Sequence, residues 1–433
     1  MKQSAMILVA LVLMVILFGD QGKAIPAFAR KYATSCQTCH NGFPKLNAFG
    51  EAFRRNGFQF PAGTDPEMIK QDQISLGSEG NKKEFPDAIW PGTLPGSSPI
   101  SMFLNSEADI NPKEYPGFTF NQLGTEIEAL AAGTLGEDLS FWAHAILDDG
   151  QQVHLNRMYL LFSNIIGSSF ALNAKVGAFE PGVFSFSTNR AWLEDYWITT
   201  QSLPGNNDMT WTLEEFQKGI ELNGMFTGRF GYNAGVVEGF GALHPNKDYY
   251  GHITYKISGL PLDGVVDSGA TISGQQPWID NSLTLGAFAY LGDAMIGTDT
   301  TQENKFSYVG GDFNAYYDRF NLFGGVGIRH DDQPYVGYIG TSINSTVWFT
   351  ELDVVVFPWL LPGVRYESWI GNRIDPVSGS TVSFTDAQFV PGVVFLIRPN
   401  VKTTVRTSIS KLESSGDTQF SLGQVQLLLS VGI

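Results

Sequence analysis

The sequence predicts an all-β chain closed into an outer-membrane antiparallel β-barrel of about 16 strands, preceded by a small α-helical domain. Long stretches of period-two alternation run from residue 113 to the end of the chain. Charged residues make up only 16% of it, against about 25% in ordinary globular chains. A Cys-x-x-Cys-His motif stands near the start, in a segment with the spacing of short helices.

The first residues set the compartment. Met1-Lys2 precedes an apolar run from Ala5 to Phe18, and Gly22-Lys23-Ala24 offers small residues where a signal peptidase cuts. Residues 1–24 therefore read as a cleaved secretory signal. The run is shorter than the roughly 20 residues of a spanning helix, and no later stretch supplies one. A membrane location then requires a closed barrel, because hydrocarbon offers open backbone groups no partner. The net charge of −16 argues against a nucleic-acid partner, which calls for a basic face, and it suits cations.

Both cysteines of the chain belong to Cys36-Gln37-Thr38-Cys39-His40, so no disulfide framework exists. This spacing is the attachment pattern of a c-type haem. Each thiol forms a thioether to a vinyl group, and His40 follows as an axial iron ligand. A dithiol or metal site is the plainer reading of the same cysteines. Residues 25–60 thus read as a monohaem cytochrome c domain holding one covalent haem c. Pro44 suits a first helical turn, Leu46, Phe49 and Phe53 recur at helical spacing, and Gly57 stops the helix. Phe28, Phe43, Phe49, Phe53 and Phe58 are expected to line the haem and exclude water. For the sixth ligand, Met68 is the nearest downstream candidate. His144, His154 and His252 qualify only if the unit enters the barrel, and an open iron site is left as a further option.

Residues 61–112, rich in Pro, Gly, Ser and Asp, read as linker or first barrel segment. Residues 113–433 read as the transmembrane barrel. Phe170, Leu172, Ala174 and Val176 oppose Asn173 and Lys175; His252, Thr254 and Lys256 oppose Ile253, Tyr255 and Ile257; Val401, Thr403, Val405 and Ile409 oppose Lys402, Thr404, Arg406 and Ser410. Segments of about ten residues match a tilted bilayer crossing, which favours a barrel over a soluble sandwich. Tyr249-Tyr250, Tyr316-Tyr317, Trp348-Phe349 and Phe357-Pro358-Trp359 are expected at the aromatic girdles. Asp148-Asp149, Asp331-Asp332 and Glu107 with Asp109 are expected as acidic loop clusters that attract cations. Lys175, Lys256, Lys402, Arg406, Glu126 and Glu128 are expected along a polar lumen.

Ile25-Pro26-Ala27-Phe28-Ala29-Arg30, the haem motif, and Phe43-Pro44-Lys45-Leu46-Asn47-Ala48-Phe49-Gly50 together resemble the opening of the fused monohaem cytochrome–porins of iron-oxidising bacteria. The likeness is motif-level over residues 25–60 and architectural beyond. It implies covalent haem at Cys36 and Cys39 and iron ligation by His40, with the haem unit plugging or entering the barrel. Electrons from an extracellular donor, Fe(II) foremost, would pass through the outer membrane to a periplasmic cytochrome or other electron acceptor. A solute porin whose haem-containing unit is a plug or gate is the second expectation, and a haem enzyme or gas sensor with an open iron site the third.

Overall fold

The structure is a computed structural model and describes residues 27–432, except 76–78, 85–92, 96–98, 112–116, 149–151, 168, 201–210, 214–215, 240–243, 266–279, 297–301, 376–377 and 415–416. The expected signal and Asp149 of the Asp148-Asp149 pair lie outside the described residues. Two helices come first, α1 (Ala27–Tyr32) and α2 (Ala48–Arg55). The barrel strands follow: β1 (Ile100–Ile110), β2 (Phe118–Thr134), β3 (Leu139–Asp148), β4 (Gln152–Ile166), β5 (Leu172–Phe179), β6 (Gln217–Phe226), β7 (Phe230–Val237) and β8 (Asp248–Ile257). Next come β9 (Ser282–Ile296), β10 (Gln302–Tyr317), β11 (Phe320–Asp331), β12 (Ile343–Val354), β13 (Leu360–Ile374) and β14 (Thr381–Arg398). The last two are each made of two pieces, β15 (Val401–Arg406 and Ile409–Ser414) and β16 (Asp417–Leu422 and Val425–Gly432).

Each strand pairs antiparallel with the next, and β16 closes on β1 through Gly432 opposite Phe103 and Val425 opposite Ile110. Counted this way, the barrel has sixteen strands, as the alternation predicts. The barrel begins at Ile100, inside the segment read as linker or first barrel segment. The break in β15 has a local cause. Thr407 N–H donates to Pro391 O at 3.2 Å, and Pro391 has no N–H to return.

Burial decides which face is outside. In β8, Ile253 and Tyr255 are 53% and 54% exposed, while His252, Thr254 and Lys256 are buried. A soluble sandwich would bury the opposite set. Apolar residues facing out and polar residues facing in is the arrangement of a barrel solvated by lipid, so the chain is an outer-membrane barrel. The girdle pairs divide: Tyr249, Tyr317, Phe357 and Trp359 are exposed, but Tyr250 and Phe349 are buried inside. A period of two sends neighbours to opposite faces, so an adjacent aromatic pair cannot both face lipid.

The rim where β1 begins and β16 ends carries short connections, such as 318–319 and 399–400, with 258–281 the exception; the other rim carries 180–216, 238–247 and 332–342. Short turns mark the periplasmic side. The α1–α2 unit sits at that rim. Gln59 donates to Glu137 O at 2.6 Å, Asn56 donates to Asp263 O at 2.8 Å, and Phe58 stacks on Trp142 of β3.

From the opposite rim the segment after β5 folds inward. Its described part brings Phe184, Phe186, Tyr196, Ile198 and Trp211 against Tyr250, Phe288, Tyr290, Phe306, Tyr308, Phe323 and Phe349 of β8–β12. The expected polar lumen is therefore half aromatic. Glycines make room for this core: a Cβ at Gly235 would stand 2.3 Å from the Tyr250 ring, and one at Gly327 2.2 Å from Tyr308. Val309, midway along β10, is 43% exposed on the lipid face. Val309→Arg is expected to lower the stability of the lipid-embedded barrel by about 2–4 kcal/mol, read by denaturant titration in vesicles, whereas Val309→Leu leaves it unchanged.

Candidate functional site

The Cys-x-x-Cys-His loop is organised by Asn47. Cys36–Thr38 make a 3-10 turn, and the N–H groups of Cys39 and His40 both donate to Cys36 O, at 3.2 and 3.0 Å. Asn47 N–H donates to Cys39 O at 2.9 Å, and its side-chain amide donates to Gln37 O and Thr38 O at 3.2 and 3.1 Å. Its Oδ1 accepts from Gly50 N–H at 2.8 Å, which caps α2. One residue thus ties the motif to the helix. Gly50 is the second fixed point, because a Cβ there would lie 2.2 Å from Cys39 O. The helix starts at Ala48 rather than near Pro44, because Asn47 is the residue that satisfies its free N–H groups.

Pro44 serves the histidine instead. Its carbonyl lies 3.2 Å from His40 Nδ1. A carbonyl only accepts, so Nδ1 carries the proton and Nε2 keeps the lone pair a metal binds. Burial holds the imidazole neutral, lowered to about 4. Burial also raises both thiols, Cys39 to about 12. Two thiols beside an imidazole whose Nε2 keeps its lone pair are a donor set that fits haem attachment.

Cys36, Cys39 and His40 face a cavity of about 630 Å³ between the helical unit and the barrel wall, a size typical of cofactor pockets. Phe28, Phe43, Phe53 and Phe58 line it, whereas Phe49 packs into the helical unit's own core with Tyr32. The facing wall comes from β1–β5, β15 and β16 and includes Glu128, His144, Arg157, Lys402 and Arg406. The aromatic core occupies the other side of the lumen.

Of the sixth-ligand candidates, the structure brings only His144 to this cavity. Its Nε2 lies 2.8 Å from Glu128 Oε2, and its Nδ1 3.4 Å from Arg157 Nη2. His252 lines a separate pocket with Arg54 and Arg55 and meets Asp312 at 2.9 Å. His154 is exposed. Met68 packs against the aromatic cluster of the helical unit, and no methionine is among the described residues that line the cavity.

Several lumen charges are packed rather than bathed in water. Lys175 pairs with Glu221 at 2.6 Å and Lys256 with Asp280 at 2.7 Å, while Arg406 reaches Asp195 at 2.9 Å. Glu126 and Glu128 also face inward, both accepting from the Asn105 amide. The acidic loop clusters need correction. Asp331 is fully buried and accepts from Trp211 Nε1–H at 2.7 Å, and Asp109 is buried too. Only Asp332 of its pair is on the surface, because the strand end sends its neighbour inside.

Sequence reading missed the clamps on the helical unit. Lys45 pairs with buried Asp353 of β12 and lies over the rings of Trp192 and Phe323. Trp192 Nε1–H donates to Asn41 O at 2.7 Å. Glu51 meets Arg54 at 3.1 Å and Arg190 of the inward segment at 4.0 Å. Burial alone would raise the Glu51 carboxyl, but Arg54, Arg190 and Arg55 outweigh it and hold it at about 2.

No protein-family model matches the chain, and no curated protein matches its sequence. In fold it is similar to the outer membrane channel DcaP of Acinetobacter baumannii, at TM-score 0.51 and 9% identity over 77% of this chain and 96% of that one. An anion-selective porin from Comamonas acidovorans gives a TM-score of 0.49 and 12% identity over 77% and 97%. The first of these supports the porin-like barrel, and the fold alone.

Gly50→Ala is expected to push α2 off the Cys39 carbonyl and expose the Arg54–Arg55 site to trypsin, which leaves it intact in the wild type. For Glu51 the folded value lies below the ordinary 4.5, so its contribution to docking is present above that value. It is lost as pH falls from about 4.5 toward 2. Fluorescence of Trp142 against pH should show this acid limb, and Glu51→Gln should remove it.

Proposed function

We propose that this outer-membrane barrel carries electrons from an extracellular reductant, with Fe(II) the candidate donor, by way of one covalently attached haem c to a periplasmic electron carrier. The observation that carries this reading is the joint exposure of Cys36, Cys39 and His40 to one cavity inside the barrel. A haem bonded there supplies a one-electron centre. The residues of the chain do the rest. His40 offers Nε2 in a fixed orientation, set by Pro44 O. Phe28, Phe43, Phe53 and Phe58 set four aromatic rings on the helical unit's side of the cavity, and exclusion of water is one of the levers on reduction potential. The clamps by Lys45 and Trp192 keep the unit at the periplasmic rim, where a soluble acceptor reaches it. The closed barrel gives a donor outside the cell a route toward the site without release of oxidised product inside. The motif-level likeness to the cytochrome–porins of iron oxidisers supports Fe(II) as donor.

The second reading is a solute porin whose haem-bearing unit closes the lumen as a plug or gate. The channel fold favours it, as do the charged residues Glu126, Glu128 and Arg406 along the cavity wall.

Purified protein should give a haem-stained band on a denaturing gel, and Cys36→Ser with Cys39→Ser should abolish it while the barrel still folds. Mixing the haem-loaded protein with Fe(II) should produce reduced-haem bands within seconds. Failure of every outer-surface donor to reduce it would remove the conduit reading. Liposome swelling that rises sharply on deletion of residues 25–60 would support the gated porin.

A further inference from the structure

Five lysines are buried among the described residues: Lys31, Lys45, Lys175, Lys256 and Lys402. Four have a carboxylate partner. Lys31 meets Asp65 at 3.4 Å, Lys175 meets Glu221 at 2.6 Å, Lys256 meets Asp280 at 2.7 Å, and Lys45 pairs with Asp353. Lys402 is the exception. It is 7% exposed, lies on the wall of the haem-motif cavity, and its ammonium rests over the Phe43 ring, 5.0 Å from the centroid. It forms no ion pair with any described residue.

Six carboxylates among the described residues face the same cavity, and each has a partner of its own: Glu107 with Gln426, Glu126 with Asn105, Glu180 with Arg190 and Asp195 with Arg406, while Glu128 and Glu194, held as follows, attract Lys402 only from beyond ion-pair distance. Glu128 is held by His144 and by the Asn105 amide. Glu194 meets Arg406 at 3.5 Å. A buried ammonium with no anion is costly, and the other four buried lysines show how this chain otherwise meets that cost. Phe43 stands three residues after His40, so the unmatched charge borders the wall that carries the motif.

We propose that Lys402 anchors a carboxylate of the molecule that occupies this cavity and that, resting on the haem reading above, the carboxylate is a haem propionate. Lys402 is a positioning residue on this assignment. It orients the porphyrin edge and sets part of the electrostatic environment of the iron, since a nearby positive charge favours the reduced state.

The test uses the full haem-loaded chain as wild type, Lys402→Gln, Lys402→Met and Lys402→Arg. A denaturing gel stained for haem comes first. An unstained wild type ends the haem reading, and this assignment with it. Where haem is attached, a redox titration follows. At a fixed ambient potential the ratio of reduced to oxidised haem should fall about tenfold in the Gln and Met variants, or ~59 mV for a one-electron couple. Lys402→Arg should stay within about twofold. Redox-difference infrared spectra with labelled propionates supply the second readout. The carboxylate band should move in the neutral variants, and in Lys402→Arg as well, because a guanidinium grips a carboxylate bidentately. An identical band in every variant that assembles overturns the assignment while the haem reading stands. A wild-type potential that shifts when chloride replaces a bulky anion at constant ionic strength overturns it too, by showing that Lys402 holds a free anion.

Discussion

A charge that the strand pleat sends into the lumen has no bulk water to return to, and the organisation of this molecule follows from that constraint. In β8 and β12 every second residue points inward, and the sequence places His252, Lys256, Glu351 and Asp353 at such positions. Each is buried. Isolated charges in such a place are costly, so the wall recruits partners for most of them. It does so with pieces of chain that are not strands.

Two pieces answer. The inward segment after β5 brings backbone N–H groups to wall carboxylates: Gly182 to Glu221 at 2.9 Å, Ser185 to Asp312 at 2.9 Å and Trp197 to Glu367 at 2.9 Å. In return, Arg365 of β13 donates to the carbonyls of Leu193 and Glu194. The helical unit at the periplasmic rim brings Lys45 to Asp353. A loop buried inside a barrel needs partners for its backbone, and a charged wall needs partners for its side chains. Each serves the other, which lets the described part of a long segment enter the lumen.

The filling is unequal, and the proposed function rests on that inequality. Against β8–β14 the inward segment packs as a dry aromatic core. Against β1–β5, β15 and β16 space is left, and the helical unit turns its two cysteines and His40 toward that space. A barrel packed throughout would have no room for a prosthetic group, and one open throughout would leave the group in water. The asymmetric lumen leaves a partly open chamber, apolar on one side and charged on the other, beside the residues that would hold the haem.

Much of this was legible in the chain. Alternation in Ile253-Thr254-Tyr255-Lys256 gave strand and barrel, because pleat geometry acts over a few residues; the spacing of Cys36, Cys39 and His40 is an equally local signal, and the proposed haem chemistry rests on it. The start of α2 was misplaced because Asn47, rather than a propensity, sets it. Which member of Trp348-Phe349 faces lipid, that Asp331 is inside, and that Lys45 finds Asp353 were decided only by closure. Register and the path of the inward segment choose partners hundreds of residues apart, and no local pattern encodes that choice. The sequence determined that charges would line an interior; the tertiary structure decided which would be matched and left Lys402 facing the chamber with no ion pair among the described residues.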